Sequence, residues 1–409
     1  MGAYFERMAD TWLAEILAAS PAVIITGARG CGKTTTALRH AASAVRLDDP
    51  LEAAAFEAGP DAALRGRPEP VLLDEWQACP SVVGAVKRAV DTERRPGRFI
   101  LTGSARFDAD PGLWPGTGRL IRLAMHPMTL REMLKRPARP FFSGLLAGER
   151  AGFVADAPDL RGYVELALRG GFPEPALELD DAARREWLDS YLGQLLVHER
   201  AQGHHGADTA RLAAFFTAYA ACSASPVHET TLARVAGIDS RTVSSYTGLL
   251  QDLGVVHELP AWSSSLLKRL ARMPKRHVAD TGLWGSAVGA ETAAVMGNGD
   301  LLGRLIDTFV TNQLRTEAVF DPLRPRLYHL RDRNGRHEVD LVADLRARGL
   351  IGVEIKAHGA PRPAHAKHLM WLRDTLGEQF KAGAVLHTGP NRFTLSDRIE
   401  AIPICTLWN

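Results

Sequence analysis

Val23-Ile24-Ile25-Thr26-Gly27-Ala28-Arg29-Gly30-Cys31-Gly32-Lys33-Thr34-Thr35 passes from an apolar strand pattern, through a glycine-rich turn, into a helical pattern starting near Gly32. Residues Gly27 to Thr34 fit G-x-x-x-x-G-K-[ST] at every position. The chemistry explains these residue types. Glycine at 30 and 32 lets backbone N–H groups turn inward around a phosphate, a geometry that a Cβ atom hinders. The helix that follows points the positive end of its dipole at the same anion. Lys33 is expected to reach the β- and γ-phosphates of ATP, and the Thr34 hydroxyl to ligate Mg²⁺. Gly27, Ala28, Arg29, Gly30, Cys31, Gly32 and Thr35 complete the expected nucleotide contact. A small residue in a tight turn is reason enough for Cys31.

Outward from this loop, short apolar runs at Val45–Leu47, Val71–Leu73 and Phe99–Thr102 alternate with helical stretches. That alternation predicts an α/β domain with a parallel sheet and crossover helices. Between the last two runs, Ser81 is placed to cap a helix with Val82, Val83, Val86 and Val90 on one side. Val71-Leu72-Leu73 ends in Asp74-Glu75, at the mouth where such sheets bind ligands. Asp74 would hold Mg²⁺ through its water shell and Glu75 would polarise the attacking water. Without a phosphate loop upstream, such a pair is an ordinary solvated strand end. The following strand leads to Ser104, expected beside the γ-phosphate, and to Arg106. Either Arg106 or Arg119 could stabilise transferring phosphoryl charge, the alternative being a plain surface arginine.

Proline and glycine punctuate residues 127–175 and mark a boundary, after which the pattern is mostly helical to about Ala224. Glu229–Ala236 and Ser240–Leu253 read as two helices joined through Gly237, with Ser240 as a cap and Val255–Leu259 as a wing strand. Arg241, Ser244, Ser245 and Tyr246 are the outward candidates. Lys268, Arg269, Arg272, Lys275 and Arg276 follow, with no acid between Ala261 and Ala279. This is the best local footprint for a nucleic acid, DNA ahead of RNA, although such segments also serve as packing pieces.

Beyond Leu301 the order is helix, three strands (Arg326–Arg331, Glu338–Ala343, Leu350–Ala357), helix, and a strand at Ala384–His387. Asp340 lies on one strand and Glu354-Ile355-Lys356 on its neighbour, a D…E-x-K arrangement. Glu354 and Lys356, two apart, face the same side of their strand. The two carboxylates could share Mg²⁺, with Lys356 activating water or neutralising developing charge. Asp and Glu-x-Lys also recur by chance on half-exposed strands. His198, His204 and His205 lack a cysteine partner and read as solvated or capping residues.

At 409 residues the chain is long enough for two or three domains. A net charge of +2 means that a polyanion partner has to be argued from local patches. Four scattered cysteines suggest a reducing compartment, without disulfide framework or zinc site. No apolar run approaches the ~20 residues that span a bilayer. The expectation is a cytoplasmic protein without membrane contact.

Together with Leu73-Asp74-Glu75-Trp76-Gln77, Arg95–Ser104, Gly170-Gly171-Phe172-Pro173-Glu174 and Asp280-Thr281-Gly282-Leu283, these segments resemble a prokaryotic family of AAA-type P-loop ATPases. Its members carry a C-terminal domain of unknown function described as restriction-endonuclease-like. The resemblance implies an ATPase core (1–130), a helical lid (131–225), a winged-helix segment (226–285) and a nuclease-like α/β domain (286–409). It also implies that Arg119 is the better finger. Acting in trans, that finger would require a homo-oligomer, a ring being one such form. A glutamate on the first C-terminal helix usually completes the family's metal site; here Asp307, one methylene shorter, stands at that position. Three functions stay open: an ATP-driven nucleic-acid enzyme, an antitoxin-like regulator that binds without cutting, and a protein-remodelling ATPase.

Overall fold

Continuous apolar runs are what a parallel strand buried on both faces requires, and the first half of the chain has three of them, at Val23–Ile25, Val71–Leu73 and Phe99–Leu101. The computed structural model describes residues 4–103, 117–137, 139–149, 154, 156–201 (backbone alone at 196–201), 209–263, 273–332 and 336–409. The chain packs as two units, residues 1–128 with 252–254, and residues 129–251 with 255–409.

In the first unit β1 (Ala22–Thr26), β2 (Ser43–Arg46), β3 (Val71–Asp74), β4 (Phe99–Gly103) and β5 (Leu120–Ala124) form one sheet in the order β2-β3-β4-β1-β5. Every pairing is parallel. Insertion of β4 between β1 and β3 is decisive for the site, because it aligns three strand ends. Thr26 lies beside Gly103, and Leu73 beside Leu101. The helix Ser81–Thr92 buries Val82, Val83, Ala85, Val86 and Val90 against this sheet. Its N-cap is Pro80 rather than Ser81, which is the first helical residue.

In the second unit the helix Leu160–Arg169 packs near Thr281–Val288, and the motifs at 170–174 and 280–283 meet. Asp280 accepts from the backbone N–H of Gly171 at 2.6 Å and of Leu283 at 2.9 Å. Helices Glu229–Ala236 and Ser240–Asp252 are separated by Gly237, whose φ of +65° suits glycine. Asp239, not Ser240, accepts from the N–H of Arg241 at 2.8 Å. Tyr246 turns inward against Phe215 at a ring distance of 5.7 Å, contrary to the outward placement expected.

A two-stranded antiparallel ribbon follows, β6 (Val256–Leu259) with β7 (Lys275–Val278). All four residues of β7 are buried. The long helix Gly299–Phe320 then leads into a sheet of β8 (Arg326–Arg331), β9 (Glu338–Asp344), β10 (Leu350–Lys356), β11 (Phe380–His387), β12 (Phe393–Ser396) and β13 (Ile399–Pro403). Its order is β12-β13-β11-β10-β9-β8. The helix Lys367–Leu376 packs Leu369 and Leu372 onto this sheet with Val339, Val342, Leu350 and Val385.

Candidate functional site

The phosphate loop joins the end of β1 to the helix Lys33–His40. Gly30 and Gly32 hold φ of +72° and +99°, the conformations that turn N–H groups inward. At Gly27 the constraint is space, since a Cβ there would collide with the Met125 carbonyl after β5. The Lys33 ammonium is buried and donates to the carbonyls of Gly27 and Ala28, at 2.9 Å each. It therefore spans the mouth of the loop. Ala28 and Cys31 are buried, Arg29 is half-buried and Thr35 is exposed. Arg7, which the sequence reading passed over, braces the loop from outside by donating to Cys31 O and His126 O at 2.8 Å each. Its only sequence signal is the Arg7-x-x-Asp10 spacing that begins the first helix.

Thr34 and Asp74 meet here. The Thr34 hydroxyl donates to Asp74 Oδ1 at 2.8 Å, and Thr102 from β4 donates to the same oxygen. The carboxylate thus stands at the junction of three segments. Glu75 follows with φ of +52°, unusual for a side-chain-bearing residue, and accepts from the Gln77 amide. Trp76 and Gln77 fold over the end of β4, so that a Cβ on Gly103 would collide with both. A hydroxyl beside a carboxylate next to a lysine-crossed loop is a donor set that fits Mg²⁺ carried in with a nucleotide. Arg119 is half-exposed and paired with Asp91 at 2.5 Å. Ser104 and Arg106 lie outside the described residues.

A second cluster lies in the C-terminal sheet. Asp307 on the long helix, Asp340 on β9, and Glu354 and Lys356 on β10 are linked through lysine contacts, and among the described residues no group of three or more His, Cys, Asp or Glu is placed to hold a metal ion, contrary to the shared Mg²⁺ site expected. The fifth member is new. Lys275 of β7 donates to Asp307 Oδ2 at 2.6 Å and to Asp340 Oδ1 at 3.3 Å. Lys356 pairs with Glu354 at 2.6 Å and lies 3.5 Å from Asp340, which also accepts from the Ile355 N–H at 2.9 Å. Burial pushes the Asp307 carboxyl up to about 6 against the pull of Lys275. Burial acts the same way on Asp340, but Lys275 and Lys356 hold it below the usual carboxylate range. Burial, then the neighbouring Asp340, raises Glu354 well above its ordinary value.

Lys275 and Arg276 therefore leave the basic surface to which their sequence run assigned them. Buried Arg276 pairs with Glu258 at 3.2 Å. The physical reason is that β7 is buried along its whole length, so its charges are satisfied by partners distant in sequence. Lys268, Arg269, Arg272, His204 and His205 lie outside the described residues, as does the His198 side chain. Arg241, Ser244 and Ser245 remain exposed on the helix Ser240–Asp252. Among the described residues no helix is long and apolar enough to cross a membrane.

Residues 19–134 match the family model of an AAA domain. Residues 160–294 and 302–407 match two domains of unknown function, DUF8612 and DUF4143. The uncharacterized proteins Rv2008c of Mycobacterium tuberculosis and Mb2031c of Mycobacterium bovis are each 28% identical to this chain over 402 residues. These alignments cover 97% of this chain and 83% of each relative. Among solved structures, the Walker-type ATPase PABY2304 of Pyrococcus abyssi aligns with a TM-score of 0.43 at 13% identity, over 69% of this chain and 96% of that one. The AAA-domain match covers the loop, β3 and β4, and with the parallel sheet it supports an AAA-type P-loop ATPase.

Proposed function

We propose that the protein is a Mg²⁺-dependent ATP phosphohydrolase whose turnover governs contact with a nucleic acid. The observation that carries the ATPase is the Thr34–Asp74 hydrogen bond of 2.8 Å beside a buried Lys33. In this reading the N–H groups of Gly30 and Gly32 enclose the phosphates, and Lys33 exchanges the carbonyls of Gly27 and Ala28 for phosphate oxygens. Thr34 and Asp74 would hold Mg²⁺, which when bound would neutralise phosphate charge. Glu75, released from Gln77, orients the attacking water and takes its proton. Arg119 serves as a finger after leaving Asp91, across a subunit boundary in an oligomer.

Lys33→Ala is expected to abolish ATP binding, whereas Glu75→Gln keeps binding and loses turnover. Equilibrium binding of a fluorescent ATP analogue and a phosphate-release assay measure the two. Undiminished hydrolysis in the Glu75→Gln protein would remove that residue from the role.

Nucleic acid, with DNA ahead of RNA, is the favoured partner. Arg241, Ser244 and Ser245 form a short, polar, exposed face on the second helix of a helix pair followed by a ribbon, which supports a winged-helix reading. Cleavage at Asp340, Glu354 and Lys356 would first require the carboxylates, Asp307 among them, to give up their lysine contacts.

A further inference from the structure

The carboxylates of the C-terminal sheet already hold a cation, and it comes from outside that sheet. Lys275 belongs to the ribbon, its side chain is 1% exposed, and its ammonium lies between Asp307 and Asp340. The other oxygens are also engaged. Thr311 donates to Asp307 Oδ1 at 3.2 Å, Ile355 N–H to Asp340 Oδ2 at 2.9 Å, and Lys356 to Glu354 Oε2 at 2.6 Å. Of the six carboxylate oxygens of Asp307, Asp340 and Glu354, Glu354 Oε1 alone is buried without a hydrogen-bond partner.

Mg²⁺ demands a nearly octahedral shell of oxygens at about 2.0–2.1 Å. To assemble one here, the ion would have to displace a buried ammonium from both of its carboxylates. That ammonium would then be left uncompensated beside a second cation, an arrangement whose desolvation cost nothing nearby offsets. The donor set does not fit a divalent ion.

We propose that Lys275 is the resident cation of this cradle, in the place of a metal, and that these carboxylates do not support metal-dependent cleavage. The charge is covalently attached and arrives from a different segment than the three carboxylates, so it cannot dissociate as an ion does. Lys356 completes the balance by pairing with the opposite side of Asp340 and with Glu354. No residue of the ATP site takes part, so this assignment stands or falls independently of ATP hydrolysis.

The probe is Mn²⁺, followed by water-proton relaxation in nucleotide-free protein carrying Asp74→Asn to silence the first unit. The expected result is that adding Asp340→Asn leaves the Mn²⁺ titration unchanged. In parallel, Lys275→Ala should lower the melting temperature by roughly 10 °C, and Mn²⁺ should restore part of that loss while leaving the wild type unmoved. Mn²⁺ binding that Asp340→Asn abolishes would overturn the proposal, as would cleavage of DNA or RNA that the same substitution abolishes. If Lys275→Ala does not fold, the first titration decides alone.

Discussion

His257 and His277 stack within the ribbon, with ring centroids 5.1 Å apart and planes 14° from parallel. Burial, with Arg315 near His257 and with His257 and Lys275 near His277, holds both well below the ordinary histidine value. The folded chain keeps these rings neutral while the unfolded chain protonates near pH 6.5. Stability is therefore present above that value and is lost as pH falls through it, by up to about 1.4 kcal/mol per histidine for each further pH unit. Neither ring nitrogen of His277 has a hydrogen-bond partner among the described residues, so an apolar ring forfeits little there. His277→Phe is expected to show a smaller drop in melting temperature between pH 7.5 and 5.5 than the wild type. An equal drop in both would assign the acid sensitivity elsewhere. None of this was legible in the sequence, where residues 275–277 read as the end of a basic surface run.

Pairs of elements show the same reach across the chain. Arg131 in the short helix Leu130–Met133 lies 3.4 Å from Glu317 near the end of the long helix, and both side chains are 3% exposed. Arg131 also donates to the carbonyls of Pro137 and Arg139, while Glu317 accepts from the Phe141 N–H. Burial pushes Glu317 up to about 7, so Arg131 is what makes its charge tolerable. Arg131→Met should cost about 3–5 kcal/mol in urea unfolding, by stranding a buried carboxylate. Adding Glu317→Gln should recover part of that loss; full additivity of the two losses would show that they do not act as a pair.

Sequence periodicity did locate the elements themselves. β1, β3 and β4 lie within two residues of their apolar runs because a fully buried strand is apolar at every position. β12 and β13 escaped notice, since Phe393-Thr394-Leu395-Ser396 and Ile399–Pro403 are short and lie beside Arg398 and its turn. The phosphate loop, Asp74 and Glu75 were readable because their chemistry is local. Lys275 was not, for it meets Asp307 and Asp340 across 32 and 65 residues.

For the whole molecule the open quantity is coupling between ATP turnover and a polyanion. Steady-state hydrolysis with single-stranded DNA, duplex DNA or RNA is expected to rise most with DNA. The combined substitution of Arg241, Ser244 and Ser245 by glutamate should reduce that stimulation severalfold, because like charges repel a phosphate backbone. Basal hydrolysis should stay unchanged. Stimulation untouched by the triple substitution would move the contact off this helix, and no stimulation by any polynucleotide would favour a protein substrate.

The two-carboxylate seat of Lys275 also dictates an order of assembly. A bare ammonium cannot be drawn from water ahead of its counter-charges without a penalty of several kcal/mol. The ribbon strand, the long helix and β9 must therefore lose their solvent together, as one cooperative step. A truncated chain that keeps the ribbon but lacks Asp307 and Asp340 would leave the Lys275 ammonium without the counter-charges that let this strand be buried.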